Sequence, residues 1–269
     1  MRNYAMLAVL AVSLPLLADD FWVKKPYTQW SREECEKLLK NSPWTQASTL
    51  NQVSMTLANQ EPSDQLGANP GADVRAGTPF ITYVVQLSSA LPIRQAIVRQ
   101  QWIANNVDAL PADRQAQIKQ RAESFVSAPV GDVVLVHVAY GSNNQQLDRV
   151  MAGYWQHQTL DKLKDLVNLI AGKRRVAPIE FDVAPGAARE FELTFPRVVE
   201  SSPLLSGDDK VLALEFRAPG IGIGGSPSSG RRGRGSSPSA RTPDSDTGLE
   251  RFYIPFKPKE MVLNGQLFY

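Results

Sequence analysis

The stretch Val133-Val134-Leu135-Val136-His137-Val138-Ala139-Tyr140, followed by Leu147, Val150, Met151, Tyr154 and Trp155, decides the fold class. The first part is a run of apolar residues rich in β-branched valine, which reads as a buried strand. The second part places apolar residues three and four apart, the spacing of a helix with one face in a core. A buried strand that hands over to an amphipathic helix calls for a core built from both kinds of element.

Toward the C-terminus, Thr159 is an expected helix N-cap. Leu163, Leu166, Val167 and Ile170 then keep helical spacing until Gly172 stops it. The rest reads as β, over about 174–183, 188–196, 210–218, 250–256 and 261–269, with Ala184-Pro185-Gly186 joining the first two as a hairpin. Toward the N-terminus, Pro92 opens a helix carrying Ile93, Ile97, Val98 and Trp102. A second helix over about 112–126 has Ala116, Ala122 and Phe125 among many charges. Phe80 to Leu87 is a buried strand, Val53, Met55 and Leu57 alternate as a half-buried one, and 60–78 is a loop rich in Gly, Pro, Asp and Asn.

The expectation is one α+β domain with a mixed or mostly antiparallel sheet, three to five helices and a strand-rich C-terminal half. Residues 220–248 interrupt two β runs. Between 220 and 246 stand seven Gly, seven Ser and three Pro, so this segment is a flexible Gly/Ser/Arg-rich loop inside the domain and no linker between domains.

The N-terminus has the layout of an export signal. Arg2 supplies the positive charge, Ala5 to Leu17 is apolar apart from Ser13 and Pro15, and Ala18 precedes Asp19-Asp20. The run is short and broken by proline, so it reads as a signal peptide over 1–18, leaving 19–269 as the exported domain. No other membrane span is expected, and the expected location is periplasmic or secreted. Leu16 stands where a small residue is preferred, so retention of the segment as an anchor stays open.

A helix start follows the signal. Ser31 and Glu34 make a capping box, with Trp30 before it and Cys35 placed to staple against it. Glu33 and Glu34 occupy the first turn and Lys37 and Lys40 the last, with Glu33–Lys37 and Glu36–Lys40 spaced as ion pairs. Asn41-Ser42-Pro43-Trp44 ends the helix. The aromatic residues here admit two roles, a binding platform or a clasp holding the helix to the domain, and the complete capping favours the clasp.

The run Lys25-Pro26-Tyr27-Thr28-Gln29-Trp30-Ser31, closed by Ser42-Pro43-Trp44, resembles the start of a family of exported, uncharacterised bacterial proteins. Arg94 in its Leu-Pro-Ile-Arg context and the run 256–261 share that likeness. The resemblance implies export and carries over no functional residue.

Composition narrows function further. The chain has 269 residues, 29 basic against 27 acidic, for a net charge of +2. That near-neutral balance argues against a dedicated polyanion binder. The single Cys35 rules out an intramolecular disulfide and, on a helix between Glu34 and Glu36, is a poor nucleophile.

The chemistry-bearing residues are few. His137 sits mid-strand and His157 near a helix end, without H-E-x-x-H or H-x-H spacing. Glu180 and Asp182 share a strand face, as do Glu190 and Glu192; such pairs serve hydrolysis or bind calcium, or else only solubilise a sheet. Lys173, Arg174, Arg175 and Arg189 are the expected cross-strand partners of these carboxylates. Gly141-Ser142 echoes a nucleophile elbow but lacks its flanking glycines.

Gly220 to Gly225 satisfies the letter of G-x-G-x-x-G, yet Ser226-Pro227-Ser228-Ser229-Gly230 cannot supply the helix that must follow. Arg231, Arg232 and Arg234 resemble an RGG segment without its aromatics, so nucleic acid is not expected. No motif asks for a cofactor. The favoured expectation is an exported envelope binding or structural module without catalysis, its partner an envelope protein or an anionic envelope component. The alternatives are a periplasmic hydrolase using the carboxylates or His137, and anion or nucleic-acid contact through the Arg-Gly loop.

Overall fold

A computed structural model describes residues 21–51, 79–183, 189–219, 249–263 and 265–269. Along the chain run α1 (Phe21–Lys24), α2 (Arg32–Lys40), β1 (Thr45–Asn51), β2 (Phe80–Leu87), α3 (Leu91–Ala104) and α4 (Ala112–Ser127). Then come β3 (Val133–Ser142), α5 (Gln145–Gln156), α6 (Leu160–Leu166), β4 (Val167–Ala171), β5 (Arg174–Val176) and β6 (Glu180–Asp182). The rest is strand: β7 (Glu190–Pro196), β8 (Val198–Val199), β9 (Ser202–Pro203), β10 (Leu212–Pro219), β11 (Leu249–Phe256), β12 (Val262–Leu263) and β13 (Gln266–Leu267). This is the expected α+β chain with a strand-rich C-terminal half.

Its two main sheets run β1-β2-β3-β7-β6 and β11-β10-β4-β5, and every pairing in them is antiparallel. Val134, Val136, Val138 and Tyr140 of β3 point into the core, and Leu135, His137 and Ala139 lie on the opposite face. The inner faces of the two sheets meet in an aromatic cluster. Tyr83 of β2 stands 4.9 Å from Phe216 of β10 and 5.0 Å from Phe252 of β11, and those two rings stack. Helix α5 adds Trp155, 4.1 Å from Phe191 and 5.9 Å from Phe216. Among the described residues no helix is long and apolar enough to cross a membrane.

The chain passes from β5 in one sheet to β6 in the other through Ala177-Pro178-Ile179. The single β run expected over 174–183 is therefore two strands, divided at a proline that cannot donate to a ladder. The helix expected to continue to Gly172 ends at Leu166. Val167, Leu169 and Ala171 are buried in alternation with Asn168 and Ile170, which is strand period, and β4 bonds to both β10 and β5. Gly172, at φ +58°, starts the β4–β5 turn, and a Cβ there would collide with Asp209 Oδ1.

The expected strand over Val53, Met55 and Leu57, the loop 60–78, the turn 184–186, the signal segment and the segment 220–248 lie outside the described residues. The strands flanking 220–248, β10 and β11, are antiparallel neighbours, so that segment joins adjacent strands of one sheet.

The aromatic N-terminal motif forms a clasp. Trp30 and Trp44 are fully buried, Trp22 nearly so, and Trp44 Nε1 donates to the Phe268 carbonyl at 2.8 Å. That bond brings the N-terminal motif to the C-terminal strands. Ser31 and Glu34 complete the capping box reciprocally, and Cys35 is fully buried in the same core as Trp30. Lys40 pairs with Glu36 at 3.0 Å, but Lys37 lies 5.9 Å from the Phe21 and Trp22 ring centres instead of pairing with Glu33.

Candidate functional site

The antiparallel register gathers the titratable candidates on the outer face of the five-stranded sheet. Gln86, His137, Glu192 and Asp182 fall in one row across β2, β3, β7 and β6, and Glu180 stands opposite Thr194 in the next row on that face. His137 Nε2 lies 3.5 Å from Glu190 Oε2, with both side chains partly exposed. Thr194 donates to Glu180 Oε2 at 3.2 Å.

His137, Glu180 and Asp182 therefore share a surface, but that surface is an open sheet face, and none of them lines the hollow between α3 and α4 or the one beside β5. No group of three His, Cys, Asp or Glu side chains is placed to hold a metal among the described residues. The basic residues expected to pair with these carboxylates go elsewhere. Arg189 binds Asp148 at 2.9 Å, Arg174 donates to the Pro203 carbonyl, and Arg175 joins Arg251 on Glu215 in the second sheet.

Ser142 Oγ is held by Asp148 at 2.8 Å and donates to the Asn144 carbonyl at 2.7 Å. Asp148 also accepts from the Ser142 backbone N–H and from Arg189, so the serine and this carboxylate together secure the start of α5. His157 is the C-cap of α5, its Nδ1 2.6 Å from the Gly153 carbonyl. Burial pushes the Cys35 thiol up to about 11, which suits packing and not nucleophilic attack. Arg231, Arg232 and Arg234 lie outside the described residues, as does the glycine run 220–225.

The hollow with binding character lies between α3 and α4, and sequence reasoning did not single it out. Helix α4 is sixteen residues long and buries no side chain. Only Gln115, Ile118, Ala122 and Val126 are half-buried, on the side toward α3.

Polar clamps hold α4 at its two ends. At the C-terminal end, Arg94 of α3 donates to the carbonyls of Phe125 and Ala128 at 3.2 and 2.7 Å. At the N-terminal end, Trp102 Nε1 donates to Asp108 Oδ1 at 2.9 Å, and Gln115 reaches the carbonyls of Asp108 and Leu110. Between the clamps runs a groove of about 390 Å³, floored by the buried Val98 and Val107. Ile97 and Trp102 form one wall, and Ile118, Ala122 and Phe125 the other.

Phe125 is 48% exposed and Arg121 stands at the rim. The volume and apolar lining match a ligand site, with a few polar groups at its edge. Tyr27 lies nearby, its hydroxyl held above the ordinary phenol range by burial and by the Glu123 carboxylate of α4. The signal for this site in the sequence was the stripe Ile118, Ala122 and Phe125 at i, i+4 and i+7.

A second hollow of about 450 Å³ lies between β5 and the β8–β9 hairpin. Glu200 and Ser201 turn that hairpin at φ 51° and 63°. Its two arginines, Arg174 and Arg175, already bind Pro203 and Glu215. Comparison with protein-family models, with curated proteins and with solved structures finds no match to this chain.

Proposed function

We propose that the protein is a non-catalytic binding module of the cell envelope and that the α3–α4 groove is its binding surface. The observation that carries this reading is α4, a sixteen-residue helix with no buried side chain, clamped at both ends over an apolar groove. Helices of isolated chains are marginal at this length, and most helical stability in proteins comes from a buried face. A helix without such a face gains stability from whatever covers it. The envelope location rests on Arg2 and the apolar run Ala5–Leu17. Against catalysis stands the setting of His137, Glu180 and Asp182 on an open face, where water screens any charge they would offer a substrate.

Hydrogen exchange of the full chain with and without a detergent extract of bacterial envelope tests this. Amides of 112–127 should gain protection in the extract, Ile118→Glu should abolish that gain, and His137→Ala should leave it intact. Protection lost in His137→Ala and kept in Ile118→Glu would move the site to the sheet face and overturn the reading.

A further inference from the structure

The two walls of the groove have matching geometry. On α3 and its C-cap the lining residues fall at 97/98, 101/102 and 105, and on α4 at 118, 121/122 and 125. Each set is one face of a helix at i, i+4, i+7 or i+8. Each wall spans about eight residues, or roughly 12 Å, which is two helical turns.

We infer that the groove takes an amphipathic helix of a partner protein, presenting apolar side chains at i, i+4 and i+7 and a carboxylate that meets Arg121. This rests on the groove being the binding surface. Both walls are helices whose backbone groups are used in their own ladders. An extended peptide would find no strand edge and would bury unpaired amides. A helix arrives with its own backbone satisfied, and a third helix seated against two others is ordinary helix packing. It would cover Ile118, Ala122 and Phe125, the residues that α4 leaves without a core.

Arg121 sets the polarity of the occupant. It is the one charged residue among those lining the groove, and it forms no ion pair among the described residues. An anionic bilayer is the poorer fit. Lipid-binding helices gather several cations on one face, whereas Asp108, Asp113 and Glu123 are interspersed here with Arg114, Lys119 and Arg121.

The test is selection of peptides from a random display library against the full chain. Enriched peptides should carry the i, i+4, i+7 apolar pattern with an Asp or Glu, and should gain helical circular dichroism on binding. Ile118→Glu should weaken them at least tenfold; Ile118 is only half-buried, so the variant's unchanged far-ultraviolet spectrum checks that it folds. Arg121→Gln should weaken acidic peptides about threefold and leave their Glu→Gln counterparts unchanged.

Peptides that bind without becoming helical, or that bind Ile118→Glu equally well, would overturn the inference. So would failure to enrich any peptide while phosphatidylglycerol vesicles bind the chain. If no peptide is enriched but envelope extract still protects 112–127, the helical occupant is wrong and the groove stands; if neither happens, both fall.

Discussion

Helices α2 and α4 both pack on α3, and they are held in opposite ways. Helix α2 has nine residues, a complete capping box and two fully buried side chains, Cys35 and Leu38. The Trp30 carbonyl before it accepts a 2.9 Å bond from Arg99 of α3, and Trp44 beyond it is fully buried. Helix α4 has sixteen residues, Pro111 at its N-cap without a side-chain cap, and nothing buried. The shorter helix is therefore the anchored one. Length and the good intrinsic propensity of Ala, Arg, Gln and Lys let α4 form, but burial decides which helix belongs to the core. The anchored helix is structural, while the clamped one has its apolar face left over for binding.

The strongest way to break this contrast is to truncate one side chain beside each helix. Trp44→Ala should destabilise the fold by about 3–5 kcal/mol through the cavity it opens, with the bond to Phe268 lost as well. Ile118→Ala, on the half-buried side of α4, should cost less than about 1 kcal/mol. Urea denaturation of the two variants measures both, and equal losses would mean that α4 is as much core as α2.

A pH titration sharpens the same point. Burial raises the Cys35 thiol to about 11 in the folded chain, so folding favours the neutral form. Its contribution to stability is full below the ordinary thiol value of about 8.5 and is lost as pH rises through about 11. Tyrosines titrate in that range too, among them Tyr140 and Tyr154, each pushed up to about 12 by burial. The informative quantity is therefore the difference between the native chain and Cys35→Ala. The native chain should lose stability more steeply over this window, and parallel curves would place Cys35 outside the sealed interior.

Much of this was legible in the sequence where local and global signals agree. Ser31 and Glu34, Pro92, and the valines of 133–140 each state one structure, and the structure follows them. Legibility failed where one pattern serves two periods. Val167 and Ile170 fit a helix by spacing, but Val167, Leu169 and Ala171 also alternate, and pairing with β10 and β5 settled the matter. Strand β1, Thr45–Asn51, has the sequence TQASTLN and carries almost no apolar signal; β2 templates it through the register Thr45↔Gln86 to Asn51↔Phe80.

The shared face of Glu180 and Asp182 could be read from their spacing. That His137 joins them could not, because it depends on β7 lying between β3 and β6. The groove was invisible for the same reason, since two sparse helical patterns become a site only once their faces meet.

A smaller effect is expected at the start of α2. Ser31→Ala removes the acceptor for the Glu34 N–H at 3.2 Å and unsettles the return bond from the Ser31 N–H to Glu34 at 2.7 Å. A cost of about 1 kcal/mol is expected, seen as a lower melting temperature. Lys25, 2.7 Å from Glu34, still holds that side chain in place and keeps the loss from growing. No equivalent substitution exists at α4, whose N-cap, Pro111, makes no side-chain capping bond.

The smallest global effect, and the most local one, belongs to Arg94→Leu. This change removes both donations to the last carbonyls of α4. It also removes a guanidinium whose Nε is buried without a partner among the described residues and whose pKa burial lowers. Losing two hydrogen bonds weakens the structure, but relieving the cost of a partly buried cation offsets that loss. The urea midpoint should therefore move little, within about 0.5 kcal/mol.

Hydrogen exchange should respond differently. Amides over 123–128 should exchange severalfold faster, because that end of α4 has no buried side chain to hold it once the clamp is gone. A chain in which α2 and α3 keep their protection while α4 opens has two tiers of stability. A chain that loses all three together has one, and then α4 would be as firmly held as α2 by some means other than burial.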